Sequence, residues 1–139
     1  MVVNNRQING MRGVYLAAAE LSKRGYIVAP TSRGAEGADL LVTSVDCSAV
    51  FAVQVKTNTS RSSFFLIGKK AGACQDKSVW ILIDIRDARS EREIDRVIFY
   101  ILTGKDLKRL AWHEGNFPNI KLRNMSSFME NWSVFEGKL

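Results

Sequence analysis

The sequence predicts an α/β chain whose mixed β-sheet is covered by helices, and three observations predict it. Stretches of helical period alternate along the chain with short β-prone runs. Asp39 to Val45 and Ala49 to Thr57 flank the turn-like Asp46-Cys47-Ser48, as two antiparallel neighbours would. Val79 to Ile85 opens with five consecutive apolar residues and shows no helical period, the pattern of a strand buried on both faces.

Taken in order, residues 7–24 form an amphipathic helix. Met11, Val14, Tyr15, Ala18 and Leu21 supply its apolar stripe, and Gly25 terminates it. Tyr26 to Ala29 is a short strand halted by Pro30, and residues 32–38 are a loop with two glycines. After the two paired strands, Ser63 to Ile67 is a further apolar segment ending at Gly68, and Lys69 to Gln75 is helical. Residues 86–95 are a charged connection between the strands Val79 to Ile85 and Arg96 to Leu102. Thr103 with Asp106 makes a capping box that starts a helix running to about Trp112. A short strand at Ile120 and Leu122 and a last helix over Ser126 to Trp132 complete the order. No repeat or linker interrupts residues 1–139, which read as one domain.

Composition bounds the function. An apolar fraction of 46%, a charged fraction of 24% and only two prolines exclude disordered, collagen-like and coiled-coil chains. The longest apolar runs, Val14 to Ala19 and Val97 to Leu102, fall far short of the roughly 20 residues a membrane span needs. The first residues lack a charged-then-apolar signal layout, and Cys47 and Cys74 share no metal or redox spacing, so a cytoplasmic protein is expected. The formal charge is +6 and the isoelectric point near 9.6. Nearly all the excess lies before Ser78. Such a balance suits a phosphate-backbone binder, and equally a moderately basic surface with no partner.

The strongest local constellation is GADLLVTSVDCSAVFAVQVKT, residues 37–57. A hairpin turning near Asp46 and Cys47 places Asp39 opposite Gln54 or Val55, while Gln54 and Lys56 share a face. A carboxylate, a neutral carbonyl oxygen and an ammonium then meet at one end of the hairpin. Hard cations such as Mg²⁺ take oxygen ligands of this kind, with water and phosphate completing the shell. The ammonium can orient a water or offset charge on a phosphorane. The same residues also fit a strand whose polar end is merely solvated, and spacing alone does not separate the two.

GYIVAPTSRGAEGADLLV followed by VFAVQVKT resembles the PD-(D/E)XK nuclease superfamily, near its small bacterial and archaeal Holliday-junction-resolvase-like members. Asp39, Gln54 and Lys56 match its motif residue by residue. The resemblance implies a restriction-endonuclease-like fold, a three-layer α/β/α sandwich around a central mixed sheet. It also implies a metal-dependent DNA endonuclease, with Asp39 and Gln54 holding weakly bound Mg²⁺ or Mn²⁺ and Lys56 assisting water and transition state. Two positions depart from the pattern. Gln54 stands where the second acidic ligand is often Glu, and Val14 follows Gly13 where related sequences read Gly-Glu-Tyr. With Asp39 the one sure carboxylate, the second reading is a nuclease-fold DNA-binding module without catalysis.

Arg33, Gly34, Gly37, Arg61, Lys69 and Lys70 border the motif and are the expected DNA contacts. Gly68-Lys69-Lys70 lacks the upstream glycine and following Ser or Thr of a phosphate-binding P-loop, so nucleotide hydrolysis is unsupported. His113 is the only histidine, which excludes multi-histidine metal sites. Trp112, Phe117, Phe128, Trp132 and Phe135 gather aromatics in the last quarter. Phe128 and Trp132 are spaced as core residues on one helical face, while a protein-interaction surface is the alternative reading. Enzymes of this fold that cut both strands act as dimers, so the resemblance also suggests a homodimer.

Overall fold

The computed structural model describes residues 5–32, 37–114 and 117–136, with only the backbone described for Lys70, residues 112–114 and Phe117. Helix α1 (Arg6–Lys23) begins at Asn5, whose side-chain oxygen accepts from the Gln7 amide at 2.9 Å, and its end is followed by Gly25 at φ +91°. Its packing face follows the expected stripe only in part, since Leu21 is buried and Val14 and Ala18 pack against the core while Met11 and Tyr15 do not. Gly13, Ala17 and Leu21 are buried, whereas Tyr15 is 61% exposed and Met11 and Ile8 also face solvent. The reason is close approach. A Cβ at Gly13 would meet Thr57 Oγ1 at 1.9 Å, so small residues, rather than large apolar ones, let the helix settle on the sheet. Ile8, Met11 and Tyr15 are left outside, beside a shallow groove of about 610 Å³ that Gln7, Arg12 and Leu16 also line.

The main sheet contains β1 (Ile27–Pro30), β2 (Leu40–Thr43), β3 (Val50–Asn58), β5 (Val79–Arg86) and β6 (Arg96–Thr103), in the order β1-β2-β3-β5-β6. Only β3 and β5 run parallel. β1 is an edge strand, which is why Pro30 can end it without breaking a ladder. The β2–β3 hairpin pairs Leu40 with Val53 and Val42 with Phe51, the register expected from the sequence. Its turn places Cys47 at φ +59°, and the Ser44 and Ser48 hydroxyls donate to Asp46 at 2.7 and 2.8 Å. Those bonds hold the Asp46 carboxyl down at about 2.

Alternation along the strands feeds two cores. Leu40, Val42, Val53, Val55, Ile81 and Ile83 pack with Ala17 and Leu21 of α1 on one side. Trp80, Leu82, Tyr100 and Leu102 pack on the other with Leu107 of α2 (Gly104–Leu110) and with Phe65 of β4 (Phe64–Leu66). The second outer layer therefore combines α2 with a small sheet, in which β8 (Phe117–Lys121) lies between β4 and β7 (Trp112–Glu114). β5 is buried on both faces, which accounts for its unbroken apolar run. The capping box is present. The Thr103 hydroxyl accepts from the Asp106 amide at 3.1 Å and donates to the Asp106 carboxylate at 2.9 Å.

Three helical expectations need correction. Lys69–Ala73 is a short 3₁₀ turn, and α2 stops at Leu110 because Trp112 pairs with Asn119 in the β7–β8 hairpin. Leu122 lies in a 3₁₀ turn past the end of β8. The third correction concerns the tail, which has 3₁₀ turns at Ser126–Phe128 and Trp132–Phe135 in place of a helix. It runs along the edge of β6, with the Glu130 amide donating to Phe99 O at 2.8 Å and Tyr100 bridging Met129. Satisfying that edge outweighs helical period. Phe128 and Trp132 consequently pack in opposite cores, Phe128 on the α2 side and Trp132 with Phe135 on the α1 side.

Candidate active site

The site begins where β2 parts from β3. Asp39 N donates to Val53 O at 2.8 Å although the register pairs Val53 with Leu40, so two residues face one, a departure of the β-bulge kind. The strand edge beyond Val53 is thereby released from β2. Asp39 Oδ2 accepts from the Val55 amide at 2.8 Å, a carboxylate oxygen standing where a ladder carbonyl would. This bond fixes the side chain while leaving Oδ1 without a hydrogen bond among the described residues.

Gln54 and Lys56 alternate with Val53 and Val55, which pack under α1, so both project from the opposite face of β3. Each is half-buried. The Lys56 ammonium lies beside Gly68, 3.8 Å from where a Cβ there would stand, and Gly68 has φ +81°. The turn that opens the Lys69–Ala73 segment thus makes room for the amine.

Helix α1 crosses the same strand end, with Asn9 donating to Thr59 Oγ1 at 3.4 Å and Gly13 seated on Thr57. At 100° per residue, Arg12 and Val14 lie on opposite flanks of the Gly13 line. Arg12 forms a bidentate pair with Asp87, just past β5, with both contacts at 2.7 Å. Val14 therefore occupies the flank toward β2 and the released edge, packed against the α1-side core. That is the position at which the resemblance implies a helix carboxylate. Valine supplies none, and Glu20 is held by Arg24 at 3.2 Å.

The donor set fits a hard cation in chemistry and number. Asp39 Oδ1 and the Gln54 side-chain oxygen would supply two oxygen donors with one charge between them, and an Mg²⁺ site leaves its remaining positions to water and phosphate. Among the described residues no three His, Cys, Asp or Glu side chains cluster as a denser metal site would require.

Of the expected DNA contacts, Gly37 is exposed at φ +92° and Lys69 is exposed in its 3₁₀ turn. Arg61 is engaged elsewhere, since its guanidinium donates to Glu93 at 2.7 Å and to Asp87 O at 2.8 Å. Arg33 and Gly34, like Glu36, lie outside the described residues, as does the Lys70 side chain. Sequence reasoning passed over Asp84. It is fully buried in β5 beside Asn58, Oδ2 accepts from Arg86 Nε at 2.9 Å, and Oδ1 has no partner among the described residues. The signal was a lone carboxylate inside the apolar run VWILIDI. Burial, and then the Asp84 charge, push the Tyr100 phenol above its ordinary value.

No family model matches the chain, and no curated protein matches it by sequence. Among solved structures it is similar to the bacterial homing endonuclease I-Ssp6803I, with a TM-score of 0.58 and 15% identity over 95% of this chain and 91% of that one. A second match is Hjc, a Holliday junction resolvase from the archaeal hyperthermophile Archaeoglobus fulgidus. Its TM-score is 0.48 and its identity 12%, over 91% of this chain and 87% of that one. At such identity the likeness speaks for fold alone, and the second match is too distant to carry an argument. The chain has the restriction-endonuclease-like α/β fold. No described helix is long and apolar enough to cross a membrane.

Proposed function

We propose, on the premise of that fold, that this chain is a metal-dependent DNA endonuclease of the PD-(D/E)XK type, acting as one nuclease-like domain. Asp39 and Gln54 hold Mg²⁺ or Mn²⁺, and Lys56 is the catalytic amine. The observation that carries the reading is the Asp39–Val55 bond at the released edge of β3, with Gln54 and Lys56 projecting beside it. A solvated strand end needs no carboxylate anchored in the plane of the sheet. When bound, the metal supplies a Lewis acid for the phosphate oxygen and lowers the pKa of a coordinated water.

This chain's residues do the rest. The Val55 amide fixes the Asp39 carboxylate, and the Gln54 carbonyl adds an oxygen donor without charge. The Lys56 ammonium, with room beside Gly68, orients the attacking water or neutralises charge building on the phosphate oxygens. Having one carboxylate, the site binds metal weakly. Mn²⁺ titration followed by electron paramagnetic resonance tests the assignment. Binding is expected to be lost in Asp39→Ala and weakened in Gln54→Ala; equal binding by all three proteins would exclude this site.

One observation favours a second reading, a DNA-binding module of the same fold without catalysis. Val14, at the position where the resemblance implies a helix carboxylate, packs against the α1-side core and offers no ligand. Such a module binds DNA without metal and in a salt-sensitive way. An interaction role resting on the aromatic tail is less favoured, because Trp132 and Phe135 are buried and Phe128 packs against the α2-side core.

A further inference from the structure

We propose that Arg86 and Arg96 form a phosphate clamp for the nucleic-acid backbone on the Lys56 side of the sheet, a site that rests on the DNA reading above. The two arginines stand directly opposite each other in the β5–β6 ladder. Like charges so placed repel, and the strand pair carries them without an acidic side chain between them at the surface. Arg86 is in step with Trp80, Leu82 and Asp84 along β5, so the pair lies on the face that also bears Gln54 and Lys56. It stands one strand over and four residues beyond the Lys56 row, about 13 Å along the strand.

The guanidinium of Arg86 is built in. Its Nε donates to Asp84, a side chain with 0% exposure, which leaves its two terminal nitrogens without a hydrogen bond among the described residues. Asp84 keeps one oxygen with no partner among the described residues, so the carboxylate is held for Arg86 by burial rather than by a network. Arg96 is exposed, and its side chain makes no hydrogen bond or ion pair among the described residues. Three of the four acids of the neighbouring loop are engaged, Glu91 alone having no hydrogen bond or ion pair among the described residues. Asp87 is paired with Arg12, Glu93 with Arg61, and Asp95 accepts from the Ala88 amide at 2.7 Å. Two forks with free terminal N–H donors, only one of them paired to an acid through its Nε, match the oxygens of a phosphodiester, which guanidinium groups bind in bidentate fashion.

The test is fluorescence anisotropy of duplex and branched DNA across a salt series in EDTA, with pyrophosphate titrated separately against the guanidinium Nε–H signals. Arg96→Gln, an exposed change, is the primary variant. Arg86→Gln is the second, and Arg89→Gln in the loop is the control. Loss of one phosphate contact lowers the log–log salt slope by about 0.9, which is about fivefold in affinity at 0.15 M salt. Arg96→Gln and Arg86→Gln are each expected to show that loss, and Arg89→Gln none. Wild-type DNA binding with Arg96→Gln indistinguishable from the control overturns the clamp and leaves the DNA reading standing. If the wild type binds neither DNA, the DNA reading fails. Pyrophosphate shifts at Arg86 and Arg96 that disappear in Arg96→Gln would then support an anion site by itself, and unchanged signals would refute it.

Discussion

Gly13→Ala probes the contact that sets α1 over the released edge of β3. A Cβ at position 13 would stand 1.9 Å from Thr57 Oγ1, 3.1 Å from its Cβ and 3.3 Å from its Cγ2, so helix or strand must move. Overpacking of this kind costs about 1–3 kcal/mol, and the 1.9 Å approach puts it in the upper part of that range. Alanine's better helix propensity returns about 1 kcal/mol. The net expectation is destabilisation by about 1–2 kcal/mol, read in urea as a midpoint lowered by about 0.5–1 M at a slope near 2 kcal/mol/M. Thr57→Ala removes Oγ1 and Cγ2 and keeps only Cβ at 3.1 Å, and the hydroxyl it removes is buried with no partner among the described residues. In that background Gly13→Ala should cost less than about 0.5 kcal/mol, a coupling of about 1 kcal/mol between the two sites. Equal costs in both backgrounds, or a Gly13→Ala protein as stable as the wild type, would refute the close-approach argument.

Further expectations concern the site and the turn. Lys56→Ala should abolish cleavage while changing DNA affinity in EDTA by less than about tenfold, since one phosphate contact is the most it can remove. Val14→Glu should tighten Mn²⁺ binding, because it restores the helix carboxylate that the resemblance implies; unchanged or weakened binding would refute that role for position 14. The Asp46 carboxyl is lowered from 3.8 to about 2 by the Ser44 and Ser48 hydroxyls. A depressed folded-state pKa contributes stability that is complete above about pH 4 and lost as pH falls toward 2. Thermal melts between those limits should therefore fall less steeply for Asp46→Asn than for the wild type. Asp87, depressed by Arg12, has the same sign, but both partners are well exposed, so Asp87→Asn should move stability by at most about 1 kcal/mol.

What was legible in the sequence was what backbone chemistry dictates locally. The β2–β3 register followed from a turn at Asp46-Cys47 flanked by alternating residues, the double-sided burial of β5 from its unbroken apolar run, and the start of α2 from Thr103 and Asp106. What was hidden depended on contacts distant in sequence. The face of α1 was partly misjudged because Gly13 and Ala17 carry little hydrophobic signal, yet they are what Thr57 and the sheet require. The tail's apparent period at Phe128 and Trp132 dissolved because the chain follows the β6 edge and feeds both cores. The site was legible as residue types, but the bulge that turns Asp39 toward the Val55 amide was not. The Arg86–Arg96 opposition was also hidden, because the β5–β6 register alone reveals it.

Cleavage tests the central claim most directly. Supercoiled plasmid and branched DNA would be incubated with Mg²⁺ or Mn²⁺ and with the wild type, Asp39→Ala or Lys56→Ala. The account expects metal-dependent cleavage by the wild type and none by either variant. Cleavage that persists in Asp39→Ala, or a wild type that cuts neither substrate with either metal, would contradict it.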